Sequence, residues 1–503
     1  MRIIVQAGGL GTRLRPLTAN RPKCLVPVHN RPLLFHLLER FCSCSFIIIG
    51  DYRFEVLSDY LSCFAAEYDY TLLRASGTGN VSGLAEALTL VGDEHESIMV
   101  IWSDLLLGPE FDPEALAPGN YMGILPHSRC SWRFCSGVLE DVPSDTCGVA
   151  GCFIFRSRRE LEGVPQSGSL TQWLRERQVA FEPLELTGCR EIGTLEALAE
   201  LNCGGDPGQR CRPYNQMEFS AGQVVKHGLT GEAERLIRRE AQWYRSVTAY
   251  GFTAVPAISC WEPLTMERIA GTNLFQASLT AQQRRQTLER VLEALDWLHE
   301  RERREALRAD LLAEYYTKTL TRLDSIASVI PGADQDTLLI NGRRCRNPLH
   351  RREELRAAVE RDLMETWFCP IHGDCTLSNI LTDAQGQIYF IDARGYFGSQ
   401  ELFGDVRYDW AKLYYSLAGN FDSFNIGRFS LTIGAGGADF AVCSSGWEEQ
   451  AQQLLEHLPS GSAGELRFIH AIIWLSLASH CWEDYDAMCL AFYHGCELLE
   501  PCL

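Results

Sequence analysis

"RIIVQAGGLGTRLRPLTANRPK", residues 2–23, decides how the first half of the chain is read. An apolar run of strand length ends at Gln6, and Gly8, Gly9, Gly11, Arg13, Arg15, Arg21 and Lys23 crowd in behind it. One reading is a tight turn with a solvated basic face. The other is a phosphate cradle: glycines let the backbone approach an anion and turn amide N–H groups toward it. Arg13 and Lys23 would then supply full charges, with Pro16 and Pro22 stiffening the path between them.

Outward from that stretch, short apolar runs alternate with helical patterns. "FIIIGDY", "IMVIWSD" and "VAGCFIF" read as further strands, and "PLLFHLLERF" and "VSGLAEALTL" as helices between them. This alternation predicts an α/β domain with a doubly wound, mainly parallel sheet, whose functional edge lies beyond the carboxyl ends of the strands. Periodicity lapses in "NCGGDPGQRCRPYNQ", which predicts a first domain over 1–205, a linker over 206–218 and a second domain over 219–503. In the second, "EFSAGQVVKHG" reads as a strand pair and "AERLIRREAQWYRSV" as a helix, with "AISCWEPLTMERIAG" strand-like. From about residue 280 the pattern is mostly helical, interrupted by "TLLINGRRCRNP", where Asn341-Gly342 signals a hairpin.

Composition narrows the function classes. The chain has 503 residues, more than one ordinary core serves, and its net charge of -19 argues against nucleic acid or an anionic membrane surface as partner. "MRIIVQAGG" lacks the features of a signal peptide and no apolar stretch is long enough to span a bilayer, so the expected setting is cytoplasmic, without membrane insertion. The 20 cysteines are scattered among apolar residues with no CxxC pair, and are expected to be reduced thiols.

"GGLGTRLRPLTANRPKCLVPV" resembles, nearly residue for residue, the signature of the nucleotidyltransferases that make sugar nucleotides and CDP-alcohols, including phosphocholine cytidylyltransferases of bacterial surface decoration. The resemblance covers about residues 1–200. It implies that Gly8, Gly9, Gly11, Thr12 and Arg13 wrap a triphosphate, that Lys23 steadies the phosphates around the transferred group, and that Arg13 and Lys23 are catalytic. It also implies Mg²⁺ on Asp104, at the end of "IWSD", and on Glu191, in "EIGT" where the family usually has Asp. "GTGNVSGLAEAL" resembles the base-contacting segment, with Gly77, Thr78 and Gly83 as nucleotide contacts. The Glu-Lys-Pro stretch usual in sugar-1-phosphate members is missing from "GVLEDVPSDTCGVAGCFIF", which favours a smaller phosphorylated acceptor.

"CPIHGDCTLSNILTD" followed by "IYFIDARG" resembles the catalytic and metal-binding loops of the aminoglycoside phosphotransferase and choline kinase family. The resemblance implies a protein-kinase-like α+β domain, with Asp374 accepting a proton from a substrate hydroxyl and Asn379 and Asp392 holding Mg²⁺ on ATP. Lys226 matches the ATP lysine, Glu240 its partner on the next helix, and Met266 to Ile269, with Glu267 and Ile269, the segment that reads adenine. Only Gly222 remains of the glycine-rich phosphate loop, and Asp409 is expected to be a structural hydrogen-bond partner. Arg394 could meet an anionic or polyol substrate or form a salt bridge to Asp405 or Asp409. The basic run from Arg343 to Arg356 could steer a phosphate-bearing ligand or be a solvated face. His36, His227, His299 and His470 read as core or surface residues, and the aromatic C-terminal run as core.

Taken together, a bifunctional enzyme is expected. ATP phosphorylates a small alcohol or sugar in the second domain, and the first transfers a nucleoside monophosphate, CMP from CTP, onto that product with release of pyrophosphate. The product would be an activated precursor for surface polysaccharide or lipid decoration. The alternatives are a kinase-like half with an unrelated substrate, or one that binds nucleotide without catalysis.

Overall fold

The computed structural model describes residues 1–126, 129–202, 215–220 and 222–503. They divide into two compact units, Met1–Gly205 with Glu483–Asp486, and Asp206–Trp482 with Ala487–Leu503.

In the first unit the apolar runs do become strands: β1 (Arg2–Gln6), β2 (Ser45–Gly50), β3 (Tyr70–Arg74) and β4 (Ile98–Trp102). Helices α1 (Leu33–Arg40), α2 (Phe54–Phe64) and α3 (Leu84–Thr89) lie between the strands or their flanking turns. β1 pairs in parallel with both β2 and β4, and β2 with β3. Ile3, Ile4 and Val5 are wholly buried, as expected of a central strand covered on both faces, which explains an uninterrupted rather than alternating apolar run. β5 (Tyr121–Leu125), β6 (Gly148–Phe155) and β7 (Glu182–Glu185) extend the sheet to the order β7-β5-β6-β4-β1-β2-β3.

β6, the "VAGCFIF" run, departs from the parallel alternation. It is antiparallel to both β4 and β5, so the sheet is mainly parallel with a reversed strand inside it. All eight of its residues are buried, and an apolar run buried on both faces carries no mark of strand direction.

The register places the chemistry. Gln6 lies opposite Trp102, and the Ser103 amide donates to Gln6 O at 3.2 Å. The chain after β1 and the chain after β4 therefore leave the same carboxyl edge side by side, with the glycine loop in one and Asp104 in the other.

The second unit opens with an antiparallel sheet of β8 (Asn215–Phe219), β9 (Gln223–Gly228), β10 (Ile258–Trp261) and β11 (Leu264–Glu267), ordered β8-β9-β11-β10. The expected linker over 206–218 lies outside the described residues as far as 214. Its last residues belong to β8, because Asn215 to Phe219 pair with β9. Helix α4 (Gly231–Ala249) starts where the Thr230 hydroxyl accepts from the Ala233 amide at 3.1 Å and acidic Glu232 and Glu234 meet the helix N-terminus.

Helix α5 (Ala281–His299) opens with a capping box of Thr280 and Gln283. It is followed by strands β12 (Trp367–Pro370), β13 (Ile380–Asp383) and β14 (Ile388–Phe390), then α6 (Val406–Leu417) and α7 (Ala463–Leu477). The Asn341-Gly342 hairpin forms as expected, both residues having positive φ, between Thr337–Ile340 and Arg343–Arg346. A second hairpin, Phe429–Gly434 with Gly437–Val442, breaks the region expected to be mostly helical. The aromatic C-terminal run is core: Phe468, Trp474, Phe492 and Tyr493 are buried.

Among the described residues the cysteines are free thiols. No helix among them is long and apolar enough to cross a membrane.

Candidate active sites

The loop after β1 is open where a ligand would lie and anchored where it turns. Leu10 and Arg13 are exposed, while Leu14 beneath them is buried. Gly11 has φ +58, and a side chain there would strike Thr18 Cγ2 at 2.8 Å and approach Lys23 Cβ at 3.2 Å. Its carbonyl accepts from the Thr18 hydroxyl at 2.9 Å. Only glycine meets both the left-handed backbone and the close approach.

Lys23 begins a short 3₁₀ turn with Cys24 and Leu25 buried, which carries its side chain inward. Its ammonium pairs with Asp104 Oδ2. Glu191 is brought to the same place by a short antiparallel pairing of Arg190–Glu191 with Leu105–Leu106 and by the Ile192 amide, which donates to Asp104 O at 2.7 Å. Arg13 closes the group, 3.8 Å from Glu191. Burial pushes the Glu191 carboxyl above its usual range and the Asp104 charge adds to the rise, with Lys23 and Arg13 pulling the other way.

Asp104 Oδ1 is buried and has no hydrogen-bond partner among the described residues. An orphaned carboxylate oxygen beside a second, crowded carboxylate fits a divalent cation, and two carboxylates plus substrate phosphates are what Mg²⁺ usually takes.

Gly77 and Thr78, two of the expected nucleotide contacts, pack against residues 166–168. The Thr78 amide donates to Ser167 Oγ at 3.0 Å, and its carbonyl accepts from the Gly168 amide at 2.9 Å. A Cβ on Gly77 would lie 1.8 Å from Gln166 O. Gly77 is required by the close approach of a second backbone segment, and Gly83 by its φ of +76 with Ile49 Cγ2 at 2.5 Å from a Cβ.

In the second unit, Lys226 on β9 reaches Glu240 on α4 at 2.6 Å and also pairs with Asp392. Burial alone would lower the lysine's pKa; Asp392 and Glu240 overcome it and raise it. Asp392 follows β14 with φ +58, an unusual backbone for a non-glycine residue, and its side chain is 49% exposed.

Asp374 lies on the loop between β12 and β13. The Asn379 amide nitrogen donates to its carbonyl and to Oδ2, both at 3.0 Å, and turns the Asn379 side-chain oxygen away from Asp374. A side-chain carbonyl and a carboxylate, Asn379 and Asp392, are hard oxygen donors suited to Mg²⁺. Asp409 on α6 holds the loop: it accepts from the His372 amide at 2.8 Å, the Gly373 amide at 2.6 Å and His299 Nε2 at 3.1 Å.

In the segment Met266 to Ile269, the Glu267 amide donates to Ala257 O and the Arg268 amide to Gly222 O. The Ser220 amide donates to Gln223 O at 2.9 Å.

Three expectations are settled by geometry. Arg394 pairs with Glu314 at 2.6 Å, not with Asp405 or Asp409, whose partners include Arg407 and His299. The basic run is ion-paired: Arg346 with Glu354 and Glu500, Arg352 with Asp324, Arg356 with Glu360. Among the histidines, His470 is buried and accepts from Trp474 Nε1 at 2.9 Å, and His36 bonds Val28 O.

Sequence reasoning missed Lys412, whose ammonium is 3.0 Å from Asp374 Oδ1. Its signal was available, since it stands three residues after Asp409 and so shares a face of α6. Glu314 and Lys318 were also missed, and no motif marks them.

Residues 2–116 match the nucleotidyl transferase family, and residues 220–393 match the phosphotransferase enzyme family. The chain carries a nucleotidyl transferase domain and a phosphotransferase domain. The nucleotidyl transferase domain is 30% identical over 112 residues to a mannose-1-phosphate guanyltransferase of Schizosaccharomyces pombe, an alignment covering 21% of this chain and 31% of the relative. It is 35% identical over 111 residues to the catalytic subunit beta of the Drosophila melanogaster mannose-1-phosphate guanylyltransferase, covering 21% and 30%. The chain thus spans about a third of the length of these relatives. The solved inositol-1-phosphate CTP transferase from T. maritima aligns with 14% identity and a TM-score of 0.31, over 41% of this chain and 97% of that one. The CTP:phosphocholine cytidylyltransferase from Streptococcus pneumoniae aligns with 21% identity and a TM-score of 0.32, over 40% and 96%.

Proposed function

We propose that the chain is a bifunctional enzyme that makes a phosphate monoester with ATP and couples it to a nucleoside monophosphate. The observation that carries the reading is the presence, in one chain, of two separate cation-and-carboxylate constellations, Arg13–Lys23–Asp104–Glu191 and Lys226–Glu240–Asn379–Asp392, each suited to a triphosphate.

In the phosphotransferase domain, Asp374 takes the proton of an acceptor hydroxyl. The acceptor oxygen forms a bond to the γ-phosphorus of ATP while the bond to the bridging oxygen breaks and ADP leaves. Lys226 is held by Glu240 where it can meet phosphate oxygens. Mg²⁺ held by Asn379 and Asp392 would neutralise the triphosphate.

In the nucleotidyl transferase domain, an oxygen of the phosphate monoester bonds to the α-phosphorus of a nucleoside triphosphate, the bond to the β-phosphate bridging oxygen breaks, and pyrophosphate departs. No protein nucleophile is needed, so Arg13 and Lys23 act by positioning and charge balance. Mg²⁺ on Asp104 and Glu191 would share the developing charge. If one substrate serves both domains, phosphorylation must precede nucleotidyl transfer.

For the nucleotide, the missing Glu-Lys-Pro stretch favours a small acceptor and with it CMP, while the guanylyltransferase relatives favour GMP. Incubating the full chain with Mg²⁺, each of CTP, GTP, UTP and ATP, and a panel of phosphorylated sugars, polyols and amino-alcohols, with pyrophosphate recorded, decides between them. Pyrophosphate that appears only with one triphosphate and one acceptor class supports the reading. Pyrophosphate release that survives Asp104→Ala sinks it.

A further inference from the structure

Three cationic side chains, Lys318, Arg394 and Lys412, gather beside Asp374 around two paired carboxylates. Lys412 lies 3.0 Å from Asp374 Oδ1. The Arg394 backbone amide donates to His372 O at 2.9 Å, and its Cβ would be 3.0 Å from a side chain on Gly373, so Arg394 packs directly on the Asp374 loop. From there its guanidinium donates to Tyr408 Oη at 3.1 Å and lies 4.1 Å from the Tyr396 ring centroid. Lys318 reaches the same place, 5.7 Å from the Tyr408 ring, from a helix that contains a π turn over Ala313–Thr317. Such turns in a helix often accompany functional sites.

Charge balance is the deciding observation. Lys318 and Arg394 reach Tyr408 and Lys412 stands one turn after it on α6, with Glu314 and Asp374 as their paired carboxylates. Two further carboxylates are engaged: Asp310 accepts from Ser399 and Gln400, and Asp409 from the His372 and Gly373 amides and from His299. Burial opposes ionisation of Glu314, yet Arg394 and Lys318 hold its carboxyl down at about 2. Burial would likewise raise the Tyr408 phenol, but Lys318, Arg394 and Lys412 outweigh it and draw the phenol below its ordinary value. The group is not sealed: the Lys318, Lys412 and Arg394 side chains keep 20%, 16% and 16% exposure, and Asp374 keeps 28%.

Resting on the kinase reading of this domain, we infer that the alcohol phosphorylated at Asp374 carries an anionic group, a carboxylate or a phosphate, which Lys318 and Arg394 receive while Lys412 holds Asp374 toward the hydroxyl. A quaternary amine such as choline would meet cations where it needs carboxylates or aromatic faces, and would be rejected.

The test uses the full chain with Mg²⁺ and ATP, following ADP and phosphorylated product, with matched acceptors: glycerol, glycerate and glycerol 3-phosphate; glucose, gluconate and glucose 6-phosphate; choline and ethanolamine. The expected result is a kcat/KM at least tenfold higher for an anionic acceptor than for its neutral partner, with the two amines inactive. The carboxylate and phosphate arms tell which anion is read. Lys318→Met should erase most of that preference by raising KM for the anionic acceptor, and Lys318→Arg, which keeps the charge beside Glu314, should restore it. Preference for neutral or cationic acceptors, or a preference untouched by Lys318→Met, overturns the inference while leaving the kinase reading standing. Absence of product with every acceptor, with ADP release unchanged in Asp374→Asn, overturns the kinase reading and this inference together.

Discussion

Lys23 grips one carboxylate oxygen of Asp104 and leaves the other buried without a hydrogen-bond partner among the described residues. A lysine alone would satisfy a structural carboxylate only in part, and the orphaned oxygen is where a cation is demanded. Asp104→Asn keeps the shape and the lysine contact but removes the charge. Pyrophosphate release should fall by about 10²-fold or more, with the Tm little changed. Pyrophosphate assay over a Mg²⁺ titration, beside thermal melting, checks both.

Asp374→Asn should lower acceptor-dependent ADP formation by about 10²–10⁴-fold, the range for losing a general base. Pyrophosphate release from a supplied phosphate monoester should be unaffected in the same preparation. Equal loss of both activities would point to misfolding or to a shared site instead.

Lys226 and Glu240 form a buried pair, at 7% exposure each, so removing one partner strands the other. Lys226→Met should cost about 3 kcal/mol of stability as well as ATP affinity, because a buried carboxylate loses its counter-ion. Lys226→Met/Glu240→Leu should regain most of the stability and none of the ATP affinity. Urea unfolding and nucleotide titration separate the two effects.

His470 supplies a pH dependence. Burial, and secondarily His494, depress its pKa from 6.5 to about 3. Between those values the unfolded chain binds a proton that the folded chain refuses, so stability is fully present above pH 6.5 and is lost as pH falls toward 3. At about pH 5 the loss from this group is on the order of 2 kcal/mol. His470→Gln, which still offers Trp474 Nε1 an acceptor, should flatten the slope between pH 7 and 5 in urea unfolding of this unit.

Much of both sites was legible because loops that bind triphosphates need particular residues at short spacing. The glycines and Lys23 behind β1, Asp104 at the end of β4, and the Asp374, Asn379 and Asp392 series all follow strands whose apolar runs are plain in the sequence. Glu191 was found by resemblance, and its nearness to Asp104 became visible only through the pairing of Arg190–Glu191 with Leu105–Leu106. The reversed direction of β6 left no trace in its composition, since a strand buried on both faces is equally apolar either way round.

By itself, then, the sequence determined the strand-and-loop grammar of two phosphate-handling domains, because backbone freedom at Gly11 and charge at Lys23 or Asp374 are properties of single residues at short range. The tertiary structure alone decided which distant groups share a site. Arg394 could have met Asp405 or Asp409 until folding gave it Glu314, and Lys318 came to Tyr408 from a separate helix. Electrostatic fit to an acceptor is a sum over charges far apart in the chain, and only packing brings those charges within range of one another.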